Sequence, residues 1–251
     1  MKLKELFPRK PIIGMIHLAE GYHEDRIERA VSEIRTFEKF GVDAAIIENY
    51  HASAGYVRLA LENITRAGTR LILGINVLPN DYWESAALAK EFGARFIQVD
   101  QVAGRYSVHG IKEWIEELDE KRYGEMRKFY PDIAVLGGVW PKYYAPVPGS
   151  SLEEDLKKGM ERADAIVVTG EGTGKKTPTE KIREFRKIMR INRRNFPLIL
   201  GAGLNVDNVI EQFPLVDGVI VGSGLKYQND TTAHLDEEKI GKLMELANRI
   251  R

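Results

Sequence analysis

Short apolar runs alternate with longer amphipathic segments along the whole chain, and this alternation limits the possible folds more than any other feature of the sequence. Eight runs are rich in β-branched residues and contain few polar ones: residues 12–18, 44–50, 71–78, 95–100, 133–140, 165–170, 197–203 and 218–224. Largely apolar strands are typical of parallel sheets that are covered on both faces. The pattern therefore predicts eight strands, each followed by a helix.

Eight helical patterns accompany these runs, and in each of them apolar residues recur every three or four positions. They cover residues 25–41, 55–67, 81–92, 111–129, 151–162, 178–194, 205–212 and 236–250. Each pattern predicts a helix that packs its apolar stripe on the sheet. The residues that stand at the expected N-cap positions are Asp81, Ser151, Thr177, Asn205 and Asp236.

Repeated strand–helix units form either an open doubly wound sheet or a closed barrel. Eight units in 251 residues match the usual size of the barrel. An open sheet normally has a glycine-rich turn after its first strand, but here the turn reads HLAEGYHE. No linker interrupts the chain. We therefore predict an α/β protein that is one (β/α)8 TIM barrel domain over residues 1–251.

Composition limits the partners and the cellular location. Lys plus Arg and Asp plus Glu each total 37, so the net charge is zero, which argues against a general nucleic-acid-binding or anionic-membrane surface. There is no cysteine, which excludes disulfides, thiolate zinc sites and a cysteine nucleophile. No apolar run approaches about 18 residues, so no transmembrane segment is predicted. We expect a cytoplasmic protein; a homo-oligomer stays open because the helices carry enough apolar residues for a dimer face.

The most specific motif is a pair of glycine-rich turns after the seventh and eighth predicted strands, in LILGAGLNVDN and VDGVIVGSGLK. Glycine lets backbone N–H groups approach an anion closely, and a helix N-terminus favours negative charge. A phosphate site at these two strands is the usual arrangement in such barrels. The alternative is that the glycines only permit tight turns. The predicted phosphate-binding residues are Gly201, Gly203, Asn205, Gly222, Ser223, Gly224 and Lys226.

A third glycine cluster, TGEGTGKKTP at 169–178, follows the sixth predicted strand. It is not a Walker loop, because only three residues separate Gly170 from Gly174. We interpret it as a mobile loop that closes over an anionic ligand, with Thr169 and Gly170 in contact and Lys175 or Lys176 supplying charge. A solvated surface loop is the open alternative.

Three ionisable residues end predicted strands, where the chemistry of a barrel is located. Glu48 and Asp100 are candidates for a general base or a metal ligand, and His17 for a proton shuttle. For each, a purely structural role is the alternative. The histidines show no ligand spacing, so no histidine-based zinc site is predicted; no residue is assigned to a metal, and no motif identifies a cofactor.

Other polar residues at strand ends are candidates for contact with a substrate. Asn76 and Asn80 are predicted ligand contacts, whereas Asp81 is assigned to helix capping. Lys142 is a candidate anion contact, with a Schiff base or a solvated charge as alternatives. Three aromatic residues beside it either form a wall that binds a sugar or base or simply pack, and the sequence favours neither role: Trp140, Tyr143 and Tyr144.

Several segments resemble the BtpA family, whose name refers to photosystem I or membrane biogenesis. They are IGMIHL (13–18), ENY (48–50), GINVLPND (74–81), VTGEGTG (168–174), GAGLNVDNV (201–209) and DGVIVGSGLK (217–226). The resemblance implies a fold similar to ribulose-phosphate-binding barrels and supplies no reaction. Two departures stand out: AEGYHE replaces the proline-rich stretch that usually follows His17-Leu18, and Gly137-Gly138 occupy positions where relatives tend to carry an Asp.

Two functions are compatible with these features. The first is an isomerase or lyase that acts on a phosphorylated small molecule, such as a sugar phosphate or a nucleotide-like compound, with Glu48, Asp100 and His17 transferring protons. The second is a non-catalytic barrel that binds a phosphorylated metabolite or a partner protein and assists the assembly of a membrane or photosystem I complex. The number of ionisable residues at strand ends favours the enzyme.

Overall fold

The structure, a computed structural model, describes residues 3–20, 25–108 and 111–251. Eight parallel strands close into a barrel, as the apolar runs predict. In chain order they are β1 (Ile12–Ile16), β2 (Ala44–Glu48), β3 (Ile72–Asn76), β4 (Phe96–Val99), β7 (Ala134–Gly138), β9 (Ala165–Val168), β10 (Leu198–Leu200) and β11 (Gly218–Val221). Strand β11 pairs with β1 and completes the circle.

The barrel interior is an apolar cluster built by the period-two alternation of the strands. Its members from the strands include Ile13, Ala44, Ile46, Leu136, Val167, Ile199 and Ile220. The helix α1 (Leu3–Leu6) and the following Phe7 belong to the same cluster, and the Phe7 ring lies 6.1 Å from the ring of Phe96 at the start of β4. The start of the chain therefore plugs the end of the barrel opposite the carboxyl ends of the strands.

Helices surround the barrel and pack on the outward-facing strand residues. They are α2 (Arg26–Phe40), α3 (Gly55–Ala67), α4 (Tyr82–Phe92), α5 (Glu120–Phe129), α6 (Leu152–Arg162), α7 (Thr179–Asn192), α8 (Val209–Gln212) and α9 (Glu237–Asn248). None of the helices in the described ranges combines the length and the apolar character needed to cross a membrane.

The predicted N-caps are confirmed at Asp81, Ser151 and Asp236, whose side chains accept backbone N–H groups of the first turn. The prediction is wrong for Thr177, which is buried and donates its hydroxyl to the Ala202 carbonyl at 3.0 Å. Asn205 caps only a turn, because its side chain accepts the N–H groups two and three residues later, and α8 begins four residues after it.

Replacing Asp81 with alanine tests the cap. The Asp81 side chain accepts the Glu84 N–H at 3.1 Å, and an N-cap of this type contributes about 1 kcal/mol to the free energy of unfolding. We expect the melting temperature to fall by roughly 2–4 °C. Asp132→Ala, which removes an exposed aspartate ahead of β7, is the matched control. Equal melting temperatures for the two variants would show that the cap is not stabilising.

A small antiparallel sheet interrupts the strand–helix alternation, and it corrects the predicted helix over 111–129. Its strands are β5 (Arg105–Val108), β6 (Ile111–Glu117) and β8 (Tyr144–Pro146), with β5 in the centre. The first half of the predicted helix is β6, because pairing with β5 satisfies its backbone groups; α5 begins only after its N-cap Asp119. The loops that leave β4 and β7 are thus joined by the pairing of β5 with β8.

Candidate functional site

A layer of mainly polar residues lies on top of the apolar barrel interior, at the carboxyl ends of the strands. Each member follows an interior residue of the same strand by two positions, so the alternation of the strand turns it inward. The layer consists of His17, Glu48, Asn76, Gln98, Thr169 and Gly222. The strands therefore hold these polar side chains in place at the barrel mouth.

A cavity of about 360 Å³ opens at this mouth. Three of the ionisable candidates line it: Glu48, Asp100 and Lys142. The remaining wall is largely apolar or aromatic and includes Tyr50, Leu78, Pro79, Val99, Pro141, Tyr143 and Tyr144. Thr169 and Gln98 also face the cavity. Sequence-predicted residues from the second, fourth, fifth and sixth barrel strands are therefore brought together in one space.

Asn76 connects the two carboxyl groups of the cavity. Its side-chain Nδ2 donates to Glu48 Oε1 at 2.7 Å and lies 3.4 Å from Asp100 Oδ1. Asn76 is only 1% exposed, and its own Oδ1 has no hydrogen-bond partner among the described residues. One amide group therefore fixes both carboxyl groups through its Nδ2.

Burial makes both carboxyl groups hard to ionise. Burial is the main cause that raises the pKa of Glu48 to about 7; the Asp100 charge raises it further, whereas the Lys142 ammonium and the Asn76 hydrogen bond oppose the rise. Burial also raises the pKa of Asp100, against the hydrogen bond from Asn76 and the charge of Lys142. Glu48 is therefore suited both to accept and to give a proton near neutral pH.

Lys142 is held at the rim of the cavity from two sides. Its backbone N–H donates to Thr169 Oγ1 at 2.7 Å, and its Nζ donates to Thr173 Oγ1 at 2.8 Å. The rings of Tyr50 and Tyr143 lie 5.9 and 5.8 Å from Nζ, within the range of a cation–π contact. Thr169 thus orients the lysine, which is a role that differs from the predicted contact with a ligand.

The loop that carries Lys142 contains two backbone conformations that are unusual for residues with side chains. Trp140 has φ +49° and Tyr143 has φ +69°. Two hydrogen bonds hold Trp140 in place: the buried Tyr106 hydroxyl accepts the Trp140 N–H at 3.0 Å, and the Trp140 ring N–H donates to Asp155 at 2.9 Å. Such conformations are commonly retained at binding and catalytic sites.

The structure corrects the prediction that Asn80 contacts a ligand. Its side chain accepts the Gln101 N–H at 3.1 Å and donates to the Gln101 carbonyl at 3.4 Å, so both ends of the amide are occupied by backbone. Asn49 makes an equivalent pair with the backbone of Leu78. These two amides position the loops after β3 and β4, and Asn80 acts on the site only through the loop that holds Asp100.

His17 is buried behind the cavity. Burial, followed by the charges of Lys226 and Lys142, holds its pKa well below the ordinary value, so the ring is neutral. Its ring lies 5.4 Å from that of the cavity-lining Tyr50, and Nδ1 has no hydrogen-bond partner among the described residues. His17 also fills the space beside Gly222, where a Cβ would lie 2.5 Å from its ring. The structure places His17 behind the cavity wall and not in it.

The glycine turns after β10 and β11 have a packing role. A Cβ at Gly203, which has φ +76°, would lie 2.0 Å from the Lys175 carbonyl oxygen. A Cβ at Gly224 would lie 2.2 Å from the Leu204 carbonyl oxygen, so the two turns are in contact with each other. A Cβ at Gly201 would meet Val167 at 2.4 Å. Close packing alone explains these three glycines, and anion binding by their N–H groups stays a prediction.

The structure also corrects the prediction that Lys226 contacts a phosphate ligand. It is completely buried, and its Nζ donates to Glu33 Oε1 at 3.2 Å and to the Thr231 carbonyl at 3.1 Å. Burial lowers its pKa, and the Glu33 charge opposes this. The side chain thus ties the segment after β11 to α2 and is not directed at a ligand in the mouth.

The other predicted phosphate-binding residues are divided between two places. Asn205 and Gly224 line a separate cavity of about 500 Å³ beside α9, together with Lys239 and Lys242. Ser223 faces the loop over residues 169–178, with its Oγ 3.1 Å from the position of a Cβ at Gly174. Gly170 of that loop packs against the Thr177 backbone.

The loop over residues 169–178 lies across the barrel mouth, but its lysines do not. Lys175 is exposed, and Lys176 forms an ion pair with Glu211 at 2.7 Å. The contact with the mouth is made by Thr173, which no sequence motif marks. Gln98 stands among the polar residues at the strand ends, but neither it nor Tyr50 was assigned a contact with a substrate, although Gln98 follows interior Phe96 by two positions and Tyr50 follows Glu48 by the same interval. In the described part of the chain, no group of three or more His, Asp or Glu residues is arranged to hold a metal ion.

Comparison with solved structures places the fold among known barrels. Phosphoribosyl anthranilate isomerase from Thermus thermophilus is similar with a TM-score of 0.62 at 16% identity, over 96% of this chain and 100% of that one. A structure described as native KDPGal has a TM-score of 0.61 at 12% identity, over 96% and 95% of the two chains. The predicted TIM-barrel fold is thus confirmed.

Comparison of sequences finds relatives of nearly the same length. An uncharacterized protein of Thermococcus kodakarensis is 32% identical over 98% of both chains. The photosystem I biogenesis protein BtpA of Synechocystis is 27% identical over 94% of this chain and 87% of its own. The profile of the BtpA family matches residues 8–249. The chain belongs to the BtpA family.

Proposed function

We propose that the protein is an enzyme that transfers protons on a phosphorylated small molecule, as an isomerase or a lyase. The observation that carries the proposal is Glu48, a buried carboxyl group whose pKa is raised to about 7 and which faces a cavity at the barrel mouth. General acid–base catalysis is most effective when the pKa of the group lies near the working pH.

The geometry supports a division of roles between the residues of the cavity. Ionised Glu48 accepts a proton from a carbon next to a carbonyl group, and protonated Glu48 returns it to a neighbouring carbon. The Lys142 ammonium, whose charge acts on both carboxyl groups, has three N–H groups, and one of them stabilises the oxyanion that develops on the carbonyl oxygen. Asn76 positions Glu48 against Asp100 by its two hydrogen bonds.

The phosphate group of the substrate has support from the comparisons. Phosphoribosyl anthranilate isomerase, which shares the fold, is named after a phosphorylated ribosyl compound. We place a phosphate near the turns after β10 and β11, with the N–H groups around Gly203 and Ser223 as donors. Binding energy from this remote group would hold the reacting carbons beside Glu48.

Proton exchange with solvent tests the proposal without knowledge of the product. The wild-type protein is incubated in D2O with separate phosphorylated aldoses, ketoses and nucleotides, and the loss of C–H signals is followed by proton NMR. We expect deuterium to enter next to the carbonyl of at least one phosphorylated compound and not of its dephosphorylated counterpart. Thermal stabilisation by a compound without any exchange would instead favour the non-catalytic binding barrel.

A further inference from the structure

Three hydrogen-bond donors converge on one hydroxyl oxygen at the rim of the cavity. Thr173 Oγ1 lies 2.8 Å from Lys142 Nζ, 3.2 Å from the Tyr50 hydroxyl and 3.1 Å from the Tyr143 hydroxyl. The donors come from the segments that follow β2 and β7, which are separate parts of the barrel. The Thr173 side chain reaches them from the loop after β9.

The Thr173 hydroxyl at the centre of this cluster cannot satisfy all three donors around it. A hydroxyl oxygen has two lone pairs, so it accepts from only two of the three donors at a time. One of the donors is an ammonium group, which makes its strongest hydrogen bonds to ionised oxygens. An oxyanion with several acceptor oxygens satisfies all three donors together, and a threonine hydroxyl does not.

The cluster stands next to the proposed acid–base group. Lys142 is close enough to lower the pKa of both Glu48 and Asp100, and the Tyr50 and Tyr143 side chains line the same cavity. A group that is bound at the rim is therefore connected through the cavity with the carboxyl pair. It is also distinct from the glycine turns, where the backbone of Lys175 fills the space beside Gly203.

The segment that bears Thr173 can leave the rim with little loss of packing. Thr173 is only half-buried, and glycines precede and follow it. Nothing lies closer than 3.6 Å to the position of a Cβ at Gly172, and the nearest atom to that of Gly174 is Ser223 Oγ at 3.1 Å. The loop thus rests on the rim mainly through the hydrogen bonds of one residue.

We infer that Lys142, Tyr50 and Tyr143 form a binding subsite for an oxyanion group of the substrate, a phosphate or a carboxylate, and that the Thr173 hydroxyl occupies this subsite when the ligand is absent. The inference rests on the proposed function because it assigns the anion to the substrate of Glu48. Binding of the anion displaces Thr173, so the loop over residues 169–178 competes with the ligand.

Anion titrations of four variants test the subsite. Inorganic phosphate and malonate are titrated separately at constant ionic strength in chloride, and affinity is measured by thermal shift and by chemical-shift changes in NMR. We expect Tyr50→Phe and Tyr143→Phe each to weaken binding by roughly two- to tenfold, because the hydrogen bond that each loses to the charged anion is stronger than the one it loses to the neutral Thr173 hydroxyl. Thr173→Ala is expected to strengthen binding by roughly the same factor, because the competing hydroxyl is gone. Tyr227→Phe, which changes an exposed tyrosine that does not line the cavity, is the matched control.

The anion affinity of Thr173→Ala, compared with that of the wild type, tests whether Thr173 competes with the ligand. Weaker or unchanged anion binding in this variant, or tyrosine variants that bind like Tyr227→Phe, would overturn the inference. The anion whose binding Tyr50→Phe and Tyr143→Phe weaken more is the group that this subsite takes, a phosphate or a carboxylate, because an anion held at the turns after β10 and β11 does not contact these two hydroxyls. The titrations require no turnover, so a negative exchange experiment contradicts the proposed reaction and leaves this result standing.

Discussion

Glu48→Gln is expected to slow the proton exchange by a factor of about 10² to 10⁴, the range that a positioned general acid–base group contributes. Glutamine keeps the oxygen that accepts the Asn76 hydrogen bond at 2.7 Å, so the cavity retains its shape. It cannot accept a proton from carbon. The affinity for the phosphorylated ligand should therefore persist while the exchange rate falls, which separates a chemical role of Glu48 from a role in binding.

Glu125→Gln is the matched control for this experiment, because it makes the same chemical change at an exposed position of α5. Its exchange rate should equal that of the wild type. The rates are measured by NMR at saturating ligand, so that a change in affinity does not enter. If Glu48→Gln and Glu125→Gln exchange at the same rate, Glu48 is not the proton-transfer group.

The pH dependence of stability provides the second large effect. The folded-state pKa of Glu48 is about 7, above its ordinary value of 4.5, so the folded protein binds this proton more tightly than the unfolded chain. The free energy of unfolding therefore falls as the pH rises above 4.5, and the loss is complete above pH 7. Between pH 5 and pH 8 the contribution of Glu48 to the free energy of unfolding falls by about 2–3 kcal/mol.

Glu48→Gln removes this contribution, because glutamine resembles the protonated acid and cannot ionise. Relative to the wild type, the variant should gain about 2–3 kcal/mol between pH 5 and pH 8, or roughly 5–10 °C in melting temperature. Denaturant unfolding of both proteins at the two pH values measures the difference. Asp100 shifts in the same direction, but it is present in both proteins, so its share largely cancels. A difference that is constant with pH would contradict the raised pKa.

Much of the fold could be predicted because the burial requirements of a barrel are local. Runs such as 44–50 and 197–203 must be apolar on both faces, which leaves a clear signal in the sequence. The segment 111–117 was wrongly predicted as helix because its apolar spacing fits a helical stripe. Its strand conformation depends on pairing with β5, a contact that no local pattern reveals.

The site could be predicted only where direction follows from strand position. The location of Glu48 and Asp100 at the mouth was predicted correctly because strand ends in a barrel converge there, and their catalytic role stays a prediction. The predicted role of Lys226 was wrong because the sequence does not show that its side chain contacts Glu33 of α2 in the interior. Thr173 was missed because its position depends on the path of a glycine-rich loop, and such loops are compatible with many paths.

The three-stranded sheet has a consequence for how this barrel mouth can change through evolution. Because β8 is hydrogen-bonded to β5 in a fixed register, Tyr106 faces Pro146 and Ser107 faces Ala145. Inserting a single residue into β8 would reverse the faces of Tyr144 and its neighbours. Remodelling of β8 by insertion therefore keeps these faces only when two residues are inserted or a bulge absorbs the extra residue, whereas substitutions leave the register intact.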